Sequence, residues 1–214
     1  MKNPDHYFWI ETWSGKNFDY VDFNPEAICI EDIAHSLSQK CRFNGHTNNF
    51  YSVAQHCLNV MWNLRKKGYS HEVQLLGLLH DAAEAYISDL PSPLKAMSFV
   101  HYATLGTNEY SDFENIILHD ILKTLYKSNL AFSVYVNVMD KQVLLHERDQ
   151  LFTGKRTWMT NVELDPEVEL KYIPDKYGHP HIEMIEDEFV NQFEWLVKRI
   201  NKENEKVITS DEKS

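Results

Sequence analysis

Imidazoles and carboxylates set inside apolar helical stripes are what this chain offers to chemistry, because a buried polar group is costly unless something compensates it. His56 lies three residues past Val53 and four before Val60, on a stripe shared with Cys57, Met61 and Leu64. Taken alone it reads either as a core histidine bonded to a carbonyl or as a metal ligand. His80 and Asp81 follow the run LLGLL, and Glu84 stands four after His80 and three after Asp81, on their side of a helix. Asp140 lies four after Val136 and three before Val143, again within an apolar stripe. A divalent cation compensates such carboxylates; the bland alternative for His80-Asp81 is a solvated helix end. Two imidazoles and two carboxylates (His56, His80, Asp81, Asp140) suit Mn²⁺, Co²⁺, Zn²⁺ or Fe²⁺ better than the all-oxygen shell preferred by Mg²⁺ or Ca²⁺. Water made acidic by a metal, with Glu84 near to manage protons, is equipment for hydrolysis.

Helices must position these groups. Ser52 and Gln55 form an S-x-x-Q capping box ahead of a stripe of 3, 4, 7 spacing, which predicts a helix over about Ser52–Lys66. Gly68 ends it and Ser70 can cap a second helix, whose stripe of Leu75, Leu76, Leu79, Ala83 and Tyr86 must stop before Pro91 and Pro93. The pair is expected as a short-turn hairpin. Further helical periods run over Phe113–Leu125, Val134–Phe152 and Ile182–Ile200, with residues 201–214 a mobile charged tail. Trp9, Ile10, Trp13, Phe18, Tyr20 and Phe23 alternate around Gly15, as in a short hairpin or an extended arm. The expectation is an all-α single domain over residues 1–200, with at most a small β element at the N-terminus.

Composition narrows the function classes. A chain of 214 residues, 43% hydrophobic with 7 Gly and 7 Pro, supports one core and is no linker or fibre. A formal charge of −11 repels polyanions, so stable nucleic-acid binding and binding to a membrane surface are not expected. Cys29, Cys41 and Cys57 are odd in number and lack CxxC spacing, so they are expected reduced and buried. No apolar run approaches the ~18 residues of a membrane span and the start does not read as a signal peptide, so the chain reads as cytosolic.

The order H56, H80-D81, D140 on helices resembles the HD-domain metal-dependent phosphohydrolases. The string HDAAEAYISDLPSPLK (His80 to Lys95) resembles the matching segment of bacterial HD-domain 5′-deoxynucleotidases. CRFNGHTNNFYSVAQH shares their Arg some fourteen residues before the first ligand His, here Arg42, and the S-V-x-x-H approach. Together with IEDIAHSL and DKQVLLHERDQL, the stretch is also similar to small phage and prophage HD phosphohydrolases, among them dATP triphosphohydrolases. The resemblance covers roughly residues 9 to 155.

It implies an HD-type helical bundle and a site in which His56, His80, Asp81 and Asp140 hold a divalent ion (Co, Mn, Zn, Fe or Mg). Arg42 would hold the phosphate, Glu84 would act on the water or the leaving group, and Asp89 would assist. Arg grips phosphate bidentately, and an acidic chain needs a local cation for an anionic substrate. Phe43 stands where the nucleotidases place Trp against the sugar; a flat ring there could still exclude a 2′-hydroxyl by shape, and the change leaves the strictness of deoxyribose selection open. His46 reads as a second phosphate contact or a turn residue, and Lys95 as a phosphate contact or a solvated loop lysine. The implied activity is cleavage of the 5′ phosphoester of a 2′-deoxynucleotide, releasing phosphate from a monophosphate or triphosphate from a dNTP. Relatives imply a homo-oligomer, dimer or hexamer, in a bacterial or phage-infected cytosol. The alternatives are a non-catalytic nucleotide-binding or interaction module, and a hydrolase of a signalling nucleotide. His119-Asp120 lacks a following Glu and reads as a surface pair, and His179 and His181 of GHPH read as a turn.

Overall fold

Alternating apolar residues around Gly15 pair as an antiparallel hairpin, β1 (Trp9–Glu11) with β2 (Asn17–Asp19), Ile10 opposite Phe18. Of the two expected forms of the N-terminus, the hairpin is the one present. The computed structural model describes residues 8–102, 106–126, 133–154, 162–172 and 181–211. Phe18 is buried and stacks on Tyr86 with ring centroids 4.0 Å apart, which ties the hairpin to the helices.

Helix α1 (Ile30–Gln39) was not among the periodic segments noted above, although Ile30, Ile33, Ala34 and Leu37 fall at helical spacing and all are buried. Helix α2 (Val53–Lys66) starts at the expected capping box, with the Gln55 amide donating to the Ser52 hydroxyl at 3.2 Å and the Ser52 amide donating to the Gln55 side chain at 2.9 Å. Gly68 ends the turn at φ +77°, and Ser70 caps α3 (His71–Leu79), so the two form the expected hairpin. They approach closely at Gly77, where an added Cβ would collide with the Leu64 side chain.

The second helix does not continue unbroken to Tyr86. It tightens after Leu79 into i→i+3 bonds (Ala82 to Leu79 at 2.9 Å, Glu84 to Asp81 at 3.0 Å) before a short α4 (Glu84–Ile87). A further turn, α5 (Ser92–Lys95), follows Pro91 where a loop was expected. An antiparallel pair, β3 (Phe99–Tyr102) with β4 (Gly106–Glu109), precedes α6 (Tyr110–Tyr126), and the sequence reading did not anticipate it. Helix α7 (Val134–Leu151) agrees with expectation, and α8 (Ile182–Asp211) runs eleven residues beyond Ile200. Residues 201–211, expected as a mobile tail, are therefore helical; their Lys and Glu are good helix formers.

α2 packs on α3 and α7, and α8 crosses α1 and α3. The segment 162–172 lies along α2, where Asn59 and Asn63, one turn apart, accept from the amides of Lys171, Tyr172 and Glu169. The three cysteines are free, but of the three expected as buried only Cys57 is: Cys29, just before α1, is partly exposed, and Cys41 is exposed at the head of the loop that follows α1. No described helix is long and apolar enough to cross a membrane.

Candidate metal centre

The apolar face of α2 carries His56 into the interior, where it is fully buried. Its Nδ1 lies 2.7 Å from Glu147 Oε1, which leaves Nε2 facing Asp140 Oδ1 at 3.0 Å, His80 Nε2 at 3.2 Å and Asp81 Oδ2 at 3.7 Å. At the end of α3, His80 Nδ1 donates to the Gly77 carbonyl at 2.9 Å, and its Nε2 lies 3.3 Å from Asp81 and 3.9 Å from Asp140. Each ring thus has its outer nitrogen engaged and its inner nitrogen turned toward the same carboxylates, as histidines that hold a metal are oriented. Ligand atoms of His56, His80 and Asp140 all lie within 4.8 Å of one another, and so do those of Cys57, His80 and Asp81. The four residues expected as ligands converge, and their donor set can hold a divalent ion.

Electrostatics tie the group together. Burial and Arg42 disfavour a charged His56, yet Glu147 and Asp140 raise its pKa to about 10. Burial likewise opposes ionisation of Asp140 and Glu147. Hydrogen bonding and charge from His56, together with Arg42, nevertheless hold Asp140 well below the carboxylate range and Glu147 at about 2.

Arg42 reaches the cluster because its segment is pinned: the Arg42 amide donates to Tyr51 at 2.8 Å and the Val53 amide to Lys40 at 3.0 Å, closing the intervening loop. Its Nε lies 3.2 Å from Glu147, while the terminal nitrogens sit 3.5 Å from Asp81 and 3.8 Å from Asp140. The chain then turns through left-handed backbone at Phe43, Asn44 and Gly45 (φ 58°, 51° and 72°), a conformation strained for the first. Phe43 lies edge-on to Phe152 at 5.1 Å with the Arg42 guanidinium over its ring. His46 is exposed at the end of this turn, its amide donating to Phe43, and no ion pair or hydrogen bond among the described residues joins its side chain to the cluster.

Glu84 is buried beside the turn that carries His80 and Asp81. Burial, Asp81 and Asp89 push its carboxyl well above the usual range, and Oε2 has no partner among the described residues. Lys95 Nζ lies 3.4 Å from Glu84 Oε1 and 2.7 Å from Glu114. Asp89 follows Ser88, whose φ of 76° with ψ 153° falls in a region that is essentially glycine's. Its carboxyl is raised chiefly by burial while Arg42 and Lys95 lower it, so Asp89 stands near the same charges.

Glu147 and Glu114 were not anticipated. Glu147 comes seven residues after Asp140, two turns along the same face of α7, so spacing could have revealed it; Tyr51, which donates to Glu147 at 2.7 Å, sits in a loop that gives no such signal. Of the sites set aside, His119 is 64% exposed and pairs with Asp120 at 3.4 Å, far from a ligand's burial. His181 is exposed at the start of α8, and His179 lies outside the described residues.

The chain is similar to the uncharacterized protein YfdR of Escherichia coli (strain K12), 34% identical over 174 residues that make 81% of this chain and 89% of the relative. It is also similar to the uncharacterized protein RCAP_rcc00048 of Rhodobacter capsulatus, 40% identical over 92 residues, 41% of this chain and 47% of that one. No known protein-family model matches the chain.

Proposed function

The chain belongs to the same family as YfdR, and we propose that it is a metal-dependent phosphohydrolase cleaving the 5′ phosphoester of 2′-deoxynucleotides to release the deoxynucleoside. The observation that carries this reading is the convergence of His80, Asp81 and Asp140 on the buried His56, with the Arg42 guanidinium 3.5 Å and 3.8 Å from two of the carboxylates. The substrate class follows from the resemblance of HDAAEAYISDLPSPLK to 5′-deoxynucleotidases.

A divalent ion held by these four residues supplies Lewis-acid polarisation of the phosphoryl oxygen and lowers the pKa of water. Arg42 binds the phosphate: Glu147 fixes its Nε, whereas the contacts of its terminal nitrogens are long enough to be exchanged for phosphate oxygens. Glu84, whose carboxyl burial and its acidic neighbours push well above the usual range, gives its proton to the departing 5′ oxygen. Asp89 steers that exchange from the strained turn at Ser88. The ring of Phe43 lies against the sugar and leaves no room for a 2′-hydroxyl.

The test incubates the purified protein with Mn²⁺ or Co²⁺ and separate panels of dNMP, NMP, dNTP and NTP, with the products separated by chromatography. Deoxynucleoside is expected with either phosphate or triphosphate, and Asp140→Asn or Glu84→Gln should each cost about 10²-fold or more in kcat. A wild-type protein with metal bound that releases no nucleoside from any panel would overturn the reading and favour a binding role or a signalling nucleotide.

A further inference from the structure

Helix α6 touches the loop between Ser88 and Lys95 at both ends. The Tyr110 hydroxyl donates to the Ile87 carbonyl at 2.9 Å, next to the strained Ser88. Glu114, four residues on and so on the same face, receives the Lys95 ammonium at 2.7 Å and 2.9 Å on its two oxygens. The ammonium in turn lies 3.4 Å from Glu84 Oε1, and the other oxygen of Glu84 is buried without a partner among the described residues. A lysine on a four-residue turn loses rotamer freedom when held in one place. One carboxylate contact at 3.4 Å is a weak tether against that loss, whereas two short contacts from a helix are a firm one.

We propose that Glu114 is a positioning residue that fixes Lys95 beside Glu84, so that the ammonium offsets the carboxylate charge that appears when Glu84 gives up its proton. The inference rests on the hydrolase reading above. In the step, the O–H bond of Glu84 breaks and an O–H bond forms on the 5′ oxygen as its bond to phosphorus breaks; Lys95 keeps its three protons throughout. Lys95 then acts on Glu84 and not on the phosphate, and the two roles separate kinetically. Freeing a phosphate-binding lysine from Glu114 would lower KM, whereas freeing a counter-ion of the acid lowers kcat and leaves KM alone.

The experiment compares wild type, Glu114→Gln (isosteric, uncharged), Lys95→Met and the double variant in steady-state kinetics. Alongside, acetylation of Lys95 by an N-hydroxysuccinimide ester is followed by mass spectrometry on the same proteins without substrate. Glu114→Gln should lower kcat about tenfold, a fraction of what general acid catalysis supplies, with KM unchanged. It should also speed acetylation of Lys95 about tenfold, since its short ion pair and part of its burial are lost. Adding Glu114→Gln to Lys95→Met should cost nothing more. An unchanged kcat, a lowered KM, additive effects in the double variant, or equal acetylation of Lys95 in wild type and Glu114→Gln would each overturn the proposal. A wild type that turns over no nucleotide overturns the hydrolase reading, and the acetylation rates then decide the pairing of Glu114 with Lys95 alone.

Discussion

Glu147, wholly buried on α7, orients a candidate ligand and a candidate phosphate-binding cation at once. Its Oε1 receives the Tyr51 hydroxyl and faces His56 Nδ1, both at 2.7 Å, and its Oε2 faces Arg42 Nε at 3.2 Å. In Glu147→Gln one of these positions becomes an NH₂ that meets another donor, and the charge opposite Arg42 and His56 is gone. Outer partners of ligating histidines are typically worth about 10–100-fold in metal affinity, so Mn²⁺ or Co²⁺ titration of this variant should show a loss of that size. Denaturant melts should show a loss of about 3–5 kcal/mol, because the buried Arg42 loses its nearest carboxylate. Metal binding as tight as wild type would remove Glu147 from this role. The four expected ligands were legible because each is a polar group interrupting an apolar stripe; the same argument applies at Glu147, but its polar neighbours in HERDQ hide the interruption. His46, in a loop without periodicity, gave no signal that separated a phosphate contact from a turn residue, and it lies exposed.

The helices place these groups through one tight contact and one break. Gly77 lets α3 lie against α2: a Cβ there would run into the Leu64 side chain and come within 3.3 Å of Val60 and 3.5 Å of the Met61 backbone. The carbonyl of the same residue receives His80 Nδ1, so displacing this turn also moves a ligand. Gly77→Ala should therefore destabilise the fold by about 1–3 kcal/mol in thermal or chemical melts and weaken metal binding in the same preparation. A melt equal to wild type would show that Leu64 yields without cost. The start of α2 was legible because Ser52 and Gln55 state it locally, whereas LLHDAAEAY contains no breaker. What tightens the chain after Leu79 is tertiary: His80 and Asp81 are drawn into a cluster built by α2 and α7, which local propensity does not encode. β3 and β4 escaped notice for the converse reason, since GTNE carries no apolar alternation and the ladder is only four residues long.

At the scale of the whole molecule, a net charge of −11 coexists with an interior site that gathers Asp81, Glu84, Asp89, Asp140 and Glu147 around Arg42 and Lys95. Protonated His56 relieves part of that repulsion, and a divalent ion relieves more. The pKa of His56, raised from 6.5 to about 10, makes its contribution to stability complete below pH 6.5 and lost as the pH climbs through 10. Glu147, lowered from 4.5 to about 2, contributes fully above pH 4.5, and this is lost as the pH falls through 2. With chelator present, these two groups place maximal stability between about pH 4.5 and 6.5. A metal requires His56 neutral, so below pH 10 it must displace that proton, and its affinity rises about tenfold per pH unit. Calorimetric titration with Co²⁺ near pH 7.5, repeated in buffers of different ionisation enthalpy, should report about one proton released per ion bound. The rise in melting temperature that Co²⁺ gives over chelator should also be larger at pH 8.5 than at pH 5.5, because ligand stabilisation follows affinity. Binding that releases no proton, together with a stabilisation independent of pH, would mean that the ion does not take the place of the His56 proton and that the cluster is held by its own ion pairs.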